Sequence, residues 1–246
     1  MKSTVITLIN FNLYGHLFED EIYYLKGFPE ENRSNICESF EKRLGGTDNF
    51  FRRFKKISSS NIKRVELNSR AIVIINNTTG SRTSIVKWPN EELSDDFPNC
   101  DWAHFMYLDN LNVDVELFKN IKRQGGLISA DMCMASHDDA NKQRLSGLLK
   151  YVDYLIISDV EYDDIKSECS LCKNLVVHSP KSIMYNGDIL ENPEYASSVK
   201  NTLGAGDFFC AEFINSIING DSITTACEVA AKKSSLYVKG ELNEEI

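Results

Sequence analysis

Short runs of apolar and β-branched residues alternate along this chain with longer stretches in which apolar residues return every three or four positions. The short runs predict strands at residues 5–10, 71–76, 83–88, 103–108, 127–132, 154–158 and 174–178. The longer periodic stretches predict helices over 113–124, 139–152, 160–167, 205–218 and 222–238. Such alternation with short polar links predicts an α/β fold, in which a mainly parallel central sheet is flanked by helices. Residues 71–88 break the pattern. Two β-type runs meet there around Asn77, Thr78, Thr79 and Gly80, which reads as a hairpin and predicts a small inserted β lid. With no internal repeat and no Pro-rich linker, a single domain over 1–246 is expected.

Composition narrows the partners. The 246 residues carry a formal net charge of −9, which argues against a nucleic-acid or anionic-membrane surface. No window approaches the ~20 apolar residues that a membrane helix needs. The N-terminal apolar stretch is too short for a signal peptide and is followed by no cleavage-type residues. Seven cysteines, an odd number, predict reduced thiols in a cytoplasmic protein. Cys169 and Cys172 form a C-x-x-C without a second pair at zinc spacing, so metal or redox chemistry is the minor reading there.

The chemistry concentrates in Asn201-Thr202-Leu203-Gly204-Ala205-Gly206-Asp207-Phe208-Phe209. Gly204, Ala205 and Gly206 read as a bare backbone turn opening a helix, where unpaired N–H groups and the helix dipole favour an anion. A carboxylate at position 207 repels phosphate, so its economical role is that of a base taking a proton from an attacking hydroxyl. The bland alternative is a glycine turn followed by an ordinary first-turn acid.

The whole string closely resembles the D-T-x-G-A-G-D-x-F signature of the ribokinase family of ATP-dependent sugar kinases. Asn201 stands where that family usually has Asp. The resemblance implies a ribokinase-like fold, with Asp207 as catalytic base, the 204–206 backbone as anion hole and Thr202 beside the nucleotide. Within the family, Ile-Ile-Asn-Asn-Thr-Thr-Gly-Ser-Arg-Thr at 74–83 is similar to the ketohexokinase branch, as are Trp102-Ala103-His104 and the strand ending at Asp131. This branch implies transfer of the γ-phosphoryl group of ATP to a ketohexose such as fructose, with Mg²⁺ as cofactor. It places Arg82 near the transferred phosphate, where a guanidinium forks onto anionic oxygens. It also places Asp20 and the Gly45-Gly46 pair against the sugar, since a carboxylate accepts hydroxyl hydrogen bonds and glycine admits close approach. Its magnesium-organising N-x-x-E element corresponds to Ser158-Asp159-Val160-Glu161, with Glu161 kept; a helix-start acid is the bland reading of Glu161.

Several positions depart from the family. The sugar-contacting Asn expected after Gly-Gly is one place early as Asn49, and Phe50 holds its usual position. Only residues 47 to 81 separate Gly46 from Arg82, which implies a shortened core segment, with lid pieces at about 20–44 and 66–90. The glycines that support ATP after the 174–178 strand are missing, and Lys181 is the phosphate contact that remains available there, a surface lysine being its plain reading. His104, Trp88 and Trp102 read as packed side chains, and Lys232-Lys233 as a solvated helix face. These departures leave a second hypothesis open, a truncated isoform or pseudokinase that binds sugar, nucleotide or a partner without turnover. A dinucleotide enzyme is disfavoured because no G-x-G-x-x-G follows the first strand. A homodimer through the β lid is implied by the resemblance alone.

Overall fold

A computed structural model describes residues 8–96, 98–133, 137–192 and 202–242. The strands are β1 (Asn10–Leu25), β2 (Ser39–Gly46), β3 (Asn61–Asn76), β4 (Arg82–Lys87), β5 (Trp102–Phe105), β6 (Leu127–Ala130), β7 (Tyr154–Ser158), β8 (Asn174–His178), β9 (Ser182–Tyr185) and β10 (Asp188–Glu191). The helices are α1 (Thr47–Ile57), α2 (Val115–Arg123), α3 (Asp139–Leu149), α4 (Asp159–Asp164), α5 (Lys166–Cys169), α6 (Ala205–Ile218) and α7 (Ile223–Lys239). They form an α/β architecture around one sheet of order β10-β9-β8-β7-β6-β5-β1-β3-β4, with β2 paired to β1. Pairings from β3 through β1, β5, β6 and β7 to β8 are parallel; β2, β4, β9 and β10 add antiparallel edges.

Strand alternation divides the interior into two layers. Leu155 and Ile157 join Phe105, Phe118, Leu145 and Leu148 under α2 and α3. Ile156 faces the other way, with Phe11, Leu13, Phe50, Phe54 and Phe213 under α1, α6 and α7. Local signals set the helix starts: Asp114, Asp138 and Ser222 each accept a backbone N–H of the first turn. Ser158 and Glu161 make a reciprocal capping box at α4.

Most predicted elements over 71–218 reappear with ends shifted by a few residues, but the strand expected at 71–76 is the end of β3, which starts at Asn61, the helix expected at 160–167 is split into α4 and α5, and β9 and β10 have no predicted counterpart. The first strand does not reappear as expected. Residues 5–7 of the expected 5–10 strand lie outside the described residues, and β1 begins where that prediction ends. Its continuation Glu19-Asp20-Glu21 is too acidic to read as sheet interior. Those residues sit where β1 leaves the core and extends, with β2, β3 and β4, into a projecting ribbon. Alternation sorts this ribbon too: Phe18, Asp20, Ala71, Val73 and Val86 face inward, whereas Glu19, Glu21, Leu44, Ile72 and Ile85 face outward. Under the inner face lies a small core of Phe18, Ile22, Ala71, Val73, Ile75 and Leu203. The hairpin expected at 71–88 is the β3–β4 pair.

Candidate active site

A cleft of about 840 Å³ opens between the ribbon's inner face and the carboxyl ends of β5, β6 and β7, the edge at which α/β sheets bind ligands. Gly204 starts α6 in the left-handed conformation, φ 81°, with no side-chain cap. A glycine tolerates that turn without strain. Ala205 N–H donates to the Thr202 carbonyl at 3.1 Å. The next two donors, Gly206 and Asp207 N–H, have no helical carbonyl to reach and point out of the helix start.

Asp207 is buried at this helix start. Asn49 Nδ2 donates to its Oδ2 at 2.9 Å, and Tyr107 Oη donates to its Oδ1 at 3.2 Å. Burial raises its pKa, and the bond from Asn49, the charge of Arg82 and the bond from Tyr107 oppose that rise. The carboxylate is therefore aimed into the cleft with an increased appetite for a proton.

Asn49 reaches Asp207 because α1 begins directly at Gly46. Gly46 has φ 63°, and a Cβ there would lie 2.3 Å from the His16 carbonyl. Gly45 lies against Asp20, whose Oδ2 would be 2.0 Å from a Cβ at 45. Asp20 itself lines the cleft and is raised to about 6, chiefly by burial, with Arg43 opposing. Phe50 is in the core. Thus α1 presents Asn49 to the site and Phe50 to the interior.

From the ribbon, Arg82 lines the cleft, exposed, and its Nη1 donates to Thr202 O at 3.3 Å. Thr202 Oγ1 donates to Gly80 O at 3.5 Å, a second tie between the hairpin and the 202–207 segment. Glu161 lines the opposite wall. Its carboxylate accepts Ser158 N–H at 2.7 Å, and burial pushes its pKa up to about 7. Glu161 is thus the helix-start acid of the plain reading, and it also lines the cleft. Lys181 is exposed and is not among the cleft-lining residues. Asn201 lies outside the described residues.

Three features escaped the sequence reading. Tyr107, with φ 60°, is a non-glycine residue in left-handed backbone, so its N–H meets Asp131 Oδ1 at 2.6 Å while its hydroxyl meets Asp207. Asp131 is buried on the cleft wall, and burial and the charge of Asp207 raise it well above the usual carboxylate range. Arg53 and Glu212 form a buried ion pair joining α1 to α6. None carries a local signal, since each acts through a partner distant in sequence.

The family model for pfkB family carbohydrate kinases matches residues 55–242. This chain belongs to the pfkB carbohydrate kinase family. Solved structures similar to this pfkB chain share its fold. The Methanocaldococcus jannaschii nucleoside kinase, an archaeal member of the ribokinase family, is 18% identical with a TM-score of 0.66, over 94% of this chain and 91% of that one. Arabidopsis thaliana ribokinase, complexed with ribose and ATP, is 18% identical at 0.65, over 95% and 93%. Thermotoga maritima ribokinase is 14% identical at 0.67, over 94% and 93%. No curated protein sequence matches the chain. The pfkB kinase has a ribokinase-like α/β fold, with a mostly parallel sheet and a small antiparallel region, and the family's activity is phosphoryl transfer to an alcohol acceptor. Among the described residues, no helix is long and apolar enough to cross a membrane.

Proposed function

We propose that this pfkB kinase transfers the γ-phosphoryl group of ATP to a hydroxyl of a free sugar, with Asp207 as the base. The observation that carries this reading is a buried, proton-avid Asp207 held toward the cleft by Asn49 and Tyr107, at the uncapped start of α6. The acceptor hydroxyl gives its proton to Asp207 as its oxygen bonds to the γ-phosphorus. The bond to the β–γ bridging oxygen breaks, and ADP leaves. A positioned base of this kind contributes about 10²–10⁴-fold to the rate.

The N–H groups opening α6 in the 204–206 turn are the anion hole for the moving phosphoryl group. Arg82 adds positive charge from the ribbon side, and Thr202 sits beside the nucleotide phosphates. Asp20, set on Gly45, and Asn49 receive the sugar's hydroxyls. Magnesium suits this cleft, because Glu161 offers an oxygen ligand whose pKa is raised chiefly by burial, with the charges of Asp131 and Asp109 adding to the rise. When bound, the ion neutralises phosphate charge, and Glu161 would hold it through water. The missing glycines after β8 and the exposed position of Lys181 leave the adenine wall to other residues.

A ketohexose such as fructose is the proposed acceptor, on the resemblance of residues 74–83 and 102–104 to ketohexokinases. The ribbon is proposed as a lid that also pairs two subunits. Supporting this are Leu44, Ile72 and Ile85 on its outward face, Ile85 being 65% exposed.

The test is ADP release with magnesium and ATP across ketoses, aldoses and nucleosides, wild type beside Asp207→Asn. Sugar-dependent turnover lost in the variant supports the proposal. Turnover with nucleosides alone replaces the acceptor class. No turnover with calorimetric ATP or sugar binding intact supports a non-catalytic binder instead.

A further inference from the structure

Beneath the cleft floor, β5, the end of β6 and α6 bring three metal-ligating side chains together. The nearest ligand atoms of His104, Asp131 and Cys210 all lie within 4.8 Å of one another, and all three residues are buried. His104 Nε2 is 3.7 Å from Asp131 Oδ2, too far for a hydrogen bond. That spacing is close to the edge of a tetrahedron with metal–ligand bonds of about 2.0–2.2 Å.

The imidazole is oriented by its neighbours. Ser129 Oγ accepts Trp102 Nε1–H at 2.8 Å and lies 3.0 Å from His104 Nδ1. Its single hydrogen is directed at Ala103 O, 3.4 Å away. His104 Nδ1 therefore carries the hydrogen in this contact, and Nε2 is left as a bare lone pair. This nitrogen is fully buried and has no hydrogen-bond partner among the described residues. Asp131 is oriented as well: Oδ1 takes the Tyr107 N–H, leaving Oδ2 toward His104. Metal-binding imidazoles and carboxylates are commonly fixed by such outer hydrogen bonds.

We propose that His104, Asp131 and Cys210 bind a zinc-class divalent cation, entering from the cleft that Asp131 and Cys210 line. The donor set decides the class. A thiolate and an imidazole suit zinc or cobalt(II), whereas magnesium and calcium take oxygen ligands. Binding releases the Cys210 proton. The resulting thiolate and carboxylate neutralise the dication, so the buried site carries no net charge. Three protein ligands leave the fourth position to a water on the cleft side. This site is separate from the magnesium that accompanies ATP, and its ligands include neither Glu161 nor Asp207.

The test uses cobalt(II) chloride as an optical probe on the full-length protein, freed of metal by a chelator. The expected result is a near-ultraviolet thiolate-to-cobalt charge-transfer band with tetrahedral visible bands, saturating at one equivalent and erased by zinc chloride. Cys210→Ser removes the charge-transfer band, and His104→Gln weakens cobalt binding at least tenfold. The Cys169→Ser/Cys172→Ser double variant keeps the band. Absence of the band in the wild type overturns the proposal, as does its survival in Cys210→Ser or its loss in the double variant. Far-ultraviolet circular dichroism checks that each variant is folded; if Cys210→Ser is not, His104→Gln decides, since unchanged affinity there also overturns the site. None of these readouts depends on kinase activity.

Discussion

Replacing Glu212 by Gln removes the counter-charge from a guanidinium that water does not reach. Glu212 is 1% exposed and Arg53 is 4% exposed. Arg53 Nε donates to Glu212 Oε1 at 2.6 Å, with Nη2 donating to the same oxygen, and Lys233 donates to Oε2 at 3.0 Å. Removing one member of such a pair costs about 3–5 kcal/mol. Gln retains an oxygen for Arg53, and the Phe208 ring, 4.4 Å from the guanidinium, continues to hold the cation by about 0.5–2 kcal/mol. Lys233, 41% exposed, can turn to water. The net loss expected for Glu212→Gln is therefore about 2–4 kcal/mol, or a fall in Tm of roughly 5–15 °C for a chain of this size. Urea unfolding at neutral pH measures it. The Arg53→Met/Glu212→Leu double variant removes both charges and should unfold within about 1 kcal/mol of wild type, or later. The ion-pair reasoning is refuted if Glu212→Gln costs less than about 1 kcal/mol, or if the double variant is as unstable as the single one. The pair also joins α1, which carries Asn49, to α6, which carries Asp207, so the single variant should lower turnover by loosening that contact.

Tyr107→Phe deletes a bond that holds the Asp207 pKa down, so the acid limb of the kcat/KM profile should move to higher pH; an unmoved limb separates Tyr107 from the base. Gly46→Ala adds a side chain where φ is 63° and the His16 carbonyl would be 2.3 Å away. It should destabilise by more than about 1–3 kcal/mol, while Gly27→Ala, with nothing within 4 Å of its Cβ, stays within about 0.5 kcal/mol of wild type in the same denaturant titration. Burial raises Asp20 to about 6 and Glu161 to about 7. The native state thus keeps protons that the unfolded chain has already shed. Without nucleotide or divalent cation, each of these two groups should take up to about 3 kcal/mol from stability as pH rises from about 4 to about 7, whereas burial of His16, His104 and His178 lowers their pKa values and works the other way. The Asp20→Asn variant should therefore gain stability relative to wild type over that window, and a difference in calorimetric Tm that does not change with pH would contradict it.

The helix over 205–218, the strands at 154–158 and 174–178 and the Gly-Ala-Gly-Asp turn were legible because each is fixed by local chemistry: apolar period, β-branched runs, a glycine where φ must be positive. Helix α1 was harder to see. Phe50, Phe51, Phe54 and Ile57 have helical spacing, but four basic residues interrupt them, and the stretch stood out as a departure from the family pattern. Strand β1 was obscured for a similar reason. Its acidic middle marks the passage from core to ribbon, where one face of the strand turns to the cleft and the other to solvent.

Sequence alone determined the α/β alternation, the glycine turn that opens α6 and the acid that follows it. It could not determine what surrounds that acid. Asn49 and Tyr107 reach Asp207 across 158 and 100 residues of chain, and His104, Asp131 and Cys210 come from three separate elements. Periodicity records which face of an element is buried. Which buried polar groups meet is settled only when the sheet order places those faces together and each group must find a partner or bear the cost of burial.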